Sequence, residues 1–97
     1  TMKTAVGVVK RDQIVTENEI YIGRPSPWGN PYHIGLDGNR EQVVKTFENF
    51  YYNDPGRQAS WMRNNIHLLK GKTLLCFCHP RACHGDVLAK AADDYVL

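Results

Sequence analysis

No stretch of this 97-residue chain holds the roughly 18 consecutive apolar residues that a membrane span requires, so no membrane partner is expected. The opening TMKTAVGVVKRDQ lacks the apolar core of a secretory signal, and Thr1 ahead of Met2 reads as a tag remnant. An excess of one charge is missing as well. A net charge of +2 supplies too weak a field to wrap nucleic acid, which is therefore not expected as a partner beyond a specific contact to a nucleotide or a strand end. Only three cysteines are present, crowded into CFCHPRAC. An odd, clustered set is not a disulfide framework, and it points to a reducing cytoplasm. Repeats, linkers and low-complexity segments are absent too. What remains is an ordinary balance, 42% hydrophobic and 23% charged, which suits a globular protein with one modest core. Residues 1–97 are read as a single domain.

The apolar spacing gives the elements. TAVGVV (4–9) is small and β-branched and predicts a strand, and EIYIG (19–23) predicts a second. Between them KRDQIVTEN carries turn formers and is either a hairpin or a looser excursion. Asn39, with Gln42 three residues on, reads as a capping box that starts a helix. Val43, Val44, Phe47, Phe50 and Tyr51 form one face of that helix, and NDPG (53–56) stops it. Trp61, Met62, Ile66 and Leu69 mark a second helix ended by KGK (70–72). TLLCF (73–77) has the length and continuous apolarity of a strand buried on both faces. Val87, Leu88, Ala91, Ala92 and Tyr95 mark the last helix. The order β-β-α-α-β-α predicts a small α/β domain with helices packed on a short sheet.

Two segments carry the chemistry. The first, TLLCFCHPRACHGDVLAK, runs from a strand through a polar loop into a helix, and ligands collect at such strand ends in open α/β sheets. A helix start near Gly85 favours an anion such as phosphate, and glycine there permits close approach. His79, Arg81 and His84 can donate to a ligand, and Asp86 can accept from a ribose hydroxyl. Structural roles compete: Asp86 as a helix cap, Cys76 as a small core residue. As a nucleophile, Cys83 has a helix start and His84 beside it, but the spacing to Arg81 does not match a phosphatase loop. Zinc is a further reading, and polar ligand contact by His79, Arg81, His84 and Asp86 is preferred to it and to the nucleophile. Cys78, His79, Cys83 and His84 are ligand types it takes, yet adjacent Cys-His side chains diverge, and one short loop does not readily build a tetrahedral set. No cofactor is therefore expected.

The second segment is GRPSPWGNPYHIG (23–35). Pro25, Pro27 and Pro31 stiffen it, and a loop stiffened in advance loses little entropy on binding. Trp28 and Tyr32 offer flat faces, Gly29 allows a turn, Arg24 can hold a phosphate, and Asn30 carries donor and acceptor together. The competing reading is a plug, with Trp28 in the core and Asn30 tying the loop to itself. His33 and His67 read as surface residues.

The pair YIGRPSPWGNPY and GKTLLCFCHPRACHGDVLAK resembles a small phage and bacterial family catalogued only as a domain of unknown function. Trp28, Gly29, Asn30 and Pro31 match the first motif of that family. Cys76, Cys78, Pro80, Cys83, His84, Gly85 and Asp86 match the second. The strand–loop–helix is also similar to a second uncharacterised, Rossmann-like family, in which arginine usually stands where this chain has Gly85. The resemblance implies a phage or bacterial origin, hence a bacterial host cytoplasm, and a Rossmann-like sheet. It implies no activity.

Three functions follow as expectations. The first is binding of a nucleotide-derived small molecule, ADP-ribose-like or cyclic, in one pocket built from Arg24, Trp28, Gly29, Asn30, Tyr32, His79, Arg81, His84, Gly85 and Asp86. In a phage this would sequester a host signalling nucleotide. The second is an enzyme cleaving an N-glycosidic or phosphoester bond of such a ligand, with His84 or Asp86 as base or Cys83 as nucleophile, its site completed across a homodimer. The third is a protein or nucleic-acid adaptor.

Overall fold

Strand β3 (Thr73–Cys76) runs down the middle of a three-stranded, wholly parallel sheet in the computed structural model, which describes residues 4–8, 17–23, 26–76 and 83–95. Strand β1 (Ala5–Val8) pairs with one side of it, Ala5 opposite Thr73 and Val8 opposite Cys76. Strand β2 (Glu19–Tyr21) pairs with the other, Glu19 opposite Thr73 and Tyr21 opposite Leu75. The central position explains the composition of β3: Leu74, Leu75 and Cys76 are all buried, as a parallel strand covered on both faces requires. β1 and β2 lie on opposite sides of β3 and run the same way, so they do not pair with each other as a hairpin; residues 10–16 of KRDQIVTEN lie outside the described residues.

Among the described residues three α-helices follow in the expected order: α1 (Arg40–Asn53), α2 (Arg57–Asn65) and α3 (His84–Asp94). α1 begins where the capping box predicts. The Asn39 side chain accepts from the Gln42 N–H at 2.9 Å, and the Gln42 side chain accepts from the Asn39 N–H at 2.8 Å. Its buried face is Val43, Phe47 and Tyr51, every fourth residue, with Val44 and Phe50 at the margin.

Two expectations need correction. The second helix does not run through to Leu69; it tightens into a 3-10 turn at Ile66–Leu69. Its buried residues are Ala59, Met62, Ile66 and Leu69, a face from which Trp61 is rotated by one residue, so Trp61 is 37% exposed. Tyr95 likewise leaves the stripe of α3. It adopts extended backbone as the C-cap, its ring lies 5.8 Å from that of His67, and its carbonyl accepts from Lys70 Nζ. At the KGK turn, Gly71 has a φ of +77°, a conformation that favours glycine, and its N–H donates to Thr4 Oγ1 at 2.9 Å. Among the described residues no helix is long and apolar enough to cross a membrane.

Candidate functional site

The parallel register brings Val8, Tyr21 and Cys76, the last residues of the three strands, to one edge of the sheet. The two segments singled out by their chemistry both leave from this edge. β2 continues into the proline–glycine loop, and its pairing extends by one bond, from Ile22 N–H to Leu75 O at 2.9 Å. β3 leads toward the start of α3.

In the proline–glycine loop the Ser26 N–H donates to Gly23 O at 2.9 Å and the Gly29 N–H to Ser26 O at 3.0 Å. Gly23 is buried, and the Tyr21 ring occupies the space a Cβ would need. Trp28 is only 5% exposed, and its ring packs at 4.9 Å and 55° against Trp61. Gly29 is tied to α2 through its carbonyl, which accepts from Gln58 Nε2 at 3.2 Å. Asn30 braces the loop at both ends of its amide: Oδ1 accepts from the Tyr32 N–H at 2.9 Å, and Nδ2 donates to Val43 O at 3.4 Å. Tyr32 is half-buried, edge-on to Phe50 at 5.9 Å. Ser26 holds a buried hydroxyl with no hydrogen-bond partner among the described residues.

At the other wall, α3 opens with Cys83 as its N-cap. The Asp86 N–H donates to the Cys83 carbonyl at 3.0 Å, and the Asp86 carboxylate accepts from the Cys83 N–H at 3.2 Å. Asp86 is itself exposed, its charge placed at the positive end of the helix. The hydrogen bond with Cys76, and burial after it, push the Cys83 thiol well up from its ordinary pKa. The two sulfurs lie 3.1 Å apart, both reduced. A buried, protonated thiol is not an activated nucleophile. His84 is 8% exposed. Its Nε2 donates to the Ile22 carbonyl at 2.8 Å, which fixes that nitrogen as the protonated one, and its ring stands edge-on to Phe47 at 5.2 Å. Gly85 is required by packing: a Cβ there would meet Ile22 Cδ1 at 2.8 Å and Val6 Cγ1 at 3.3 Å.

The structure therefore joins the base of the loop to the start of α3 through His84 and Ile22. Asn30 stands one helical turn away, since it binds Val43 and His84 touches Phe47 on the same face of α1. Trp28 lies toward α2, and Asp86 toward β1, where it lines an open cleft of about 530 Å³ with Thr4, Lys90, Asp93 and Asp94. Arg24, Cys78, His79 and Arg81 fall outside the described residues. Among the described residues no three His, Cys, Asp or Glu side chains gather to hold a metal.

Sequence reasoning missed three residues. Ser26, between two prolines, carries no distinctive spacing. Trp61 narrowly misses the core stripe that its spacing predicts; with Pro27, Arg57 and Gln58 it lines an apolar surface pocket of about 370 Å³. Gln58 on the outer turn of α2 gave no sign that it would reach the Gly29 carbonyl.

The sequence profile of a family described as "Domain of unknown function (DUF4326)" matches residues 8–94. A curated relative, "Uncharacterized 12.4 kDa protein in nrdA-td intergenic region" of Enterobacteria phage T4, is 35% identical over 74 residues, covering 73% of this chain and 64% of the relative. The chain thus spans less than two thirds of that relative's length. Both findings agree with the expectation of a small phage and bacterial family of unknown function. No solved structure matches the chain.

Proposed function

The chain belongs to the family described as Domain of unknown function (DUF4326), and we propose that it binds a nucleotide-derived small molecule, ADP-ribose-like or cyclic, at the carboxyl edge of its parallel sheet. The observation that carries this reading is the His84–Ile22 hydrogen bond, which holds the start of α3 against the base of the proline–glycine loop. Strand ends of this kind are where open parallel sheets take ligands, and pairing of both outer strands to β3 supports reading the fold as a small Rossmann-like relative. The Ser26 hydroxyl, which has no partner among the described residues and lies on the loop just after β2, supports a polar ligand group there. Arg24, His79 and Arg81 supply the cationic and donor groups for phosphate. Trp28 and Asn30 hold the loop wall in shape, and Tyr32 is the half-buried ring of that wall. In a phage-infected bacterial cytoplasm, such a protein sequesters a host signalling nucleotide.

Thermal shift against ADP-ribose and a panel of cyclic nucleotides tests this directly. Stabilisation by one class, lost in Arg24→Ala and reduced in Ser26→Ala, is the expected result. No response to any member of the panel overturns it. Denaturing the complex and recovering the ligand separates binding from cleavage. Intact ligand means a binder; a cleaved product means an enzyme, with His84 or Asp86 as the base and, if native mass shows two copies, a site shared across a homodimer. A second reading, a protein adaptor, is favoured by the Pro27–Trp61 surface pocket, whose lining is almost wholly apolar.

A further inference from the structure

Cys76 is the last residue of β3 and Cys83 the N-cap of α3, so each backbone is fixed by a different regular element. Their sulfurs nevertheless meet at 3.1 Å inside the core, seven positions apart in sequence. A disulfide needs a further approach of about 1 Å, within reach of small side-chain rotations. We propose that Cys76 and Cys83 form an intramolecular disulfide with a small-molecule disulfide of the glutathione class as oxidant, covalently closing the segment from 76 to 83.

One protein thiolate attacks a sulfur of the oxidant, breaking its S–S bond and releasing one small thiol. The second protein sulfur then displaces the other small thiol from the mixed disulfide. Two protein thiols lose two electrons and two protons, one S–S bond forms in the protein, and the oxidant is reduced to two thiols. Burial and the raised Cys83 pKa make the exchange slow at neutral pH and faster as pH rises, because the thiolate is the attacking species. The bond forms whether or not the sheet edge holds a nucleotide. It ties the start of α3 to the end of β3, and the tethered segment contains Cys78, His79 and Arg81.

The experiment incubates the reduced full chain with oxidised glutathione to equilibrium, quenches in acid, denatures, alkylates and measures intact mass and linked peptides. Wild type and Cys78→Ser are expected to lose two alkylatable thiols and the mass of two hydrogens, with one Cys76–Cys83 linked peptide. Cys76→Ser and Cys83→Ser stop at full alkylation or at a glutathione adduct. Should Cys78→Ser fail to fold, Cys78→Ala serves the same purpose. The oxidised wild type is expected to melt about 10 °C above the reduced form. Three results each overturn the proposal: complete alkylation of wild type at equilibrium, a linked peptide in which the bonded residue is Cys78 and Cys76 carries the alkyl group, or purified protein whose Cys76 and Cys83 thiols are held by a metal.

Discussion

His84 Nε2 donates a 2.8 Å hydrogen bond to the carbonyl of Ile22, 62 positions earlier in the chain, with both groups buried. The bond locks the first turn of α3 to the end of β2. His84→Ala leaves that carbonyl without its donor and removes the ring packed on Phe47. The expected loss is about 2–3 kcal/mol, read as a fall in melting temperature of about 10–15 °C. His84→Gln, which can carry an amide N–H toward the same carbonyl, is expected to lose less. Equal losses from the two variants would mean that the hydrogen bond contributes nothing beyond volume.

Gly85 sits where α3 comes closest to the sheet. In Gly85→Ala the new methyl meets Ile22 Cδ1 at 2.8 Å, Cys83 Sγ at 3.2 Å and Val6 Cγ1 at 3.3 Å. Overpacking of this kind costs about 1–3 kcal/mol. Ile22→Val removes the nearest of these atoms, so the double variant is expected to be more stable than the sum of the two single losses. Simple additivity in urea unfolding would sink this account.

Trp28 and Trp61 touch but differ in burial, 5% against 37% exposed. Trp28→Ala empties a core site and is expected to cost about 3–5 kcal/mol. Trp61→Ala removes a ring that is already 37% exposed and is expected to cost less, under about 1.5 kcal/mol. Denaturant midpoints rank the two, and a reversed ranking contradicts the plug arrangement of Trp28.

Tyr51 is buried in α1. Burial first, and neighbouring Tyr52 second, raise its pKa from 10.0 to about 12, against a smaller lowering by Arg63. Because the folded pKa lies above the unfolded one, this phenol's contribution is fully present below pH 10 and is lost as pH rises through about 12. Ultraviolet titration is expected to show one phenolate forming near pH 12 in wild type and missing from Tyr51→Phe. The variant's stability should also fall less between pH 10 and 12 than that of wild type.

Much of the local structure was legible in the sequence. The Asn39–Gln42 capping box, the Val43–Phe47–Tyr51 face and the continuous apolar run of β3 each depend on spacing within one element. The candidate site was legible only as two segments. Their meeting depended on β2 pairing in parallel with β3, which no local pattern encodes. Trp61 and Tyr95 were misplaced because a stripe read in one letter per residue cannot resolve one step of helix rotation or the point where a helix unwinds.

The sequence by itself determined which segments become helix, strand or rigid loop, because capping, apolar period and proline geometry act over a few residues. It also determined the family. Only the tertiary structure decided the roles of single residues: that Gly85 is needed against Ile22 and Val6, that Asn30 braces the loop on Val43, and that Cys76 meets Cys83. Apart from the Cys76–Cys83 pair, these contacts join residues distant in sequence. In all of them the parallel register and helix packing, rather than neighbouring residues, set which atoms come within reach.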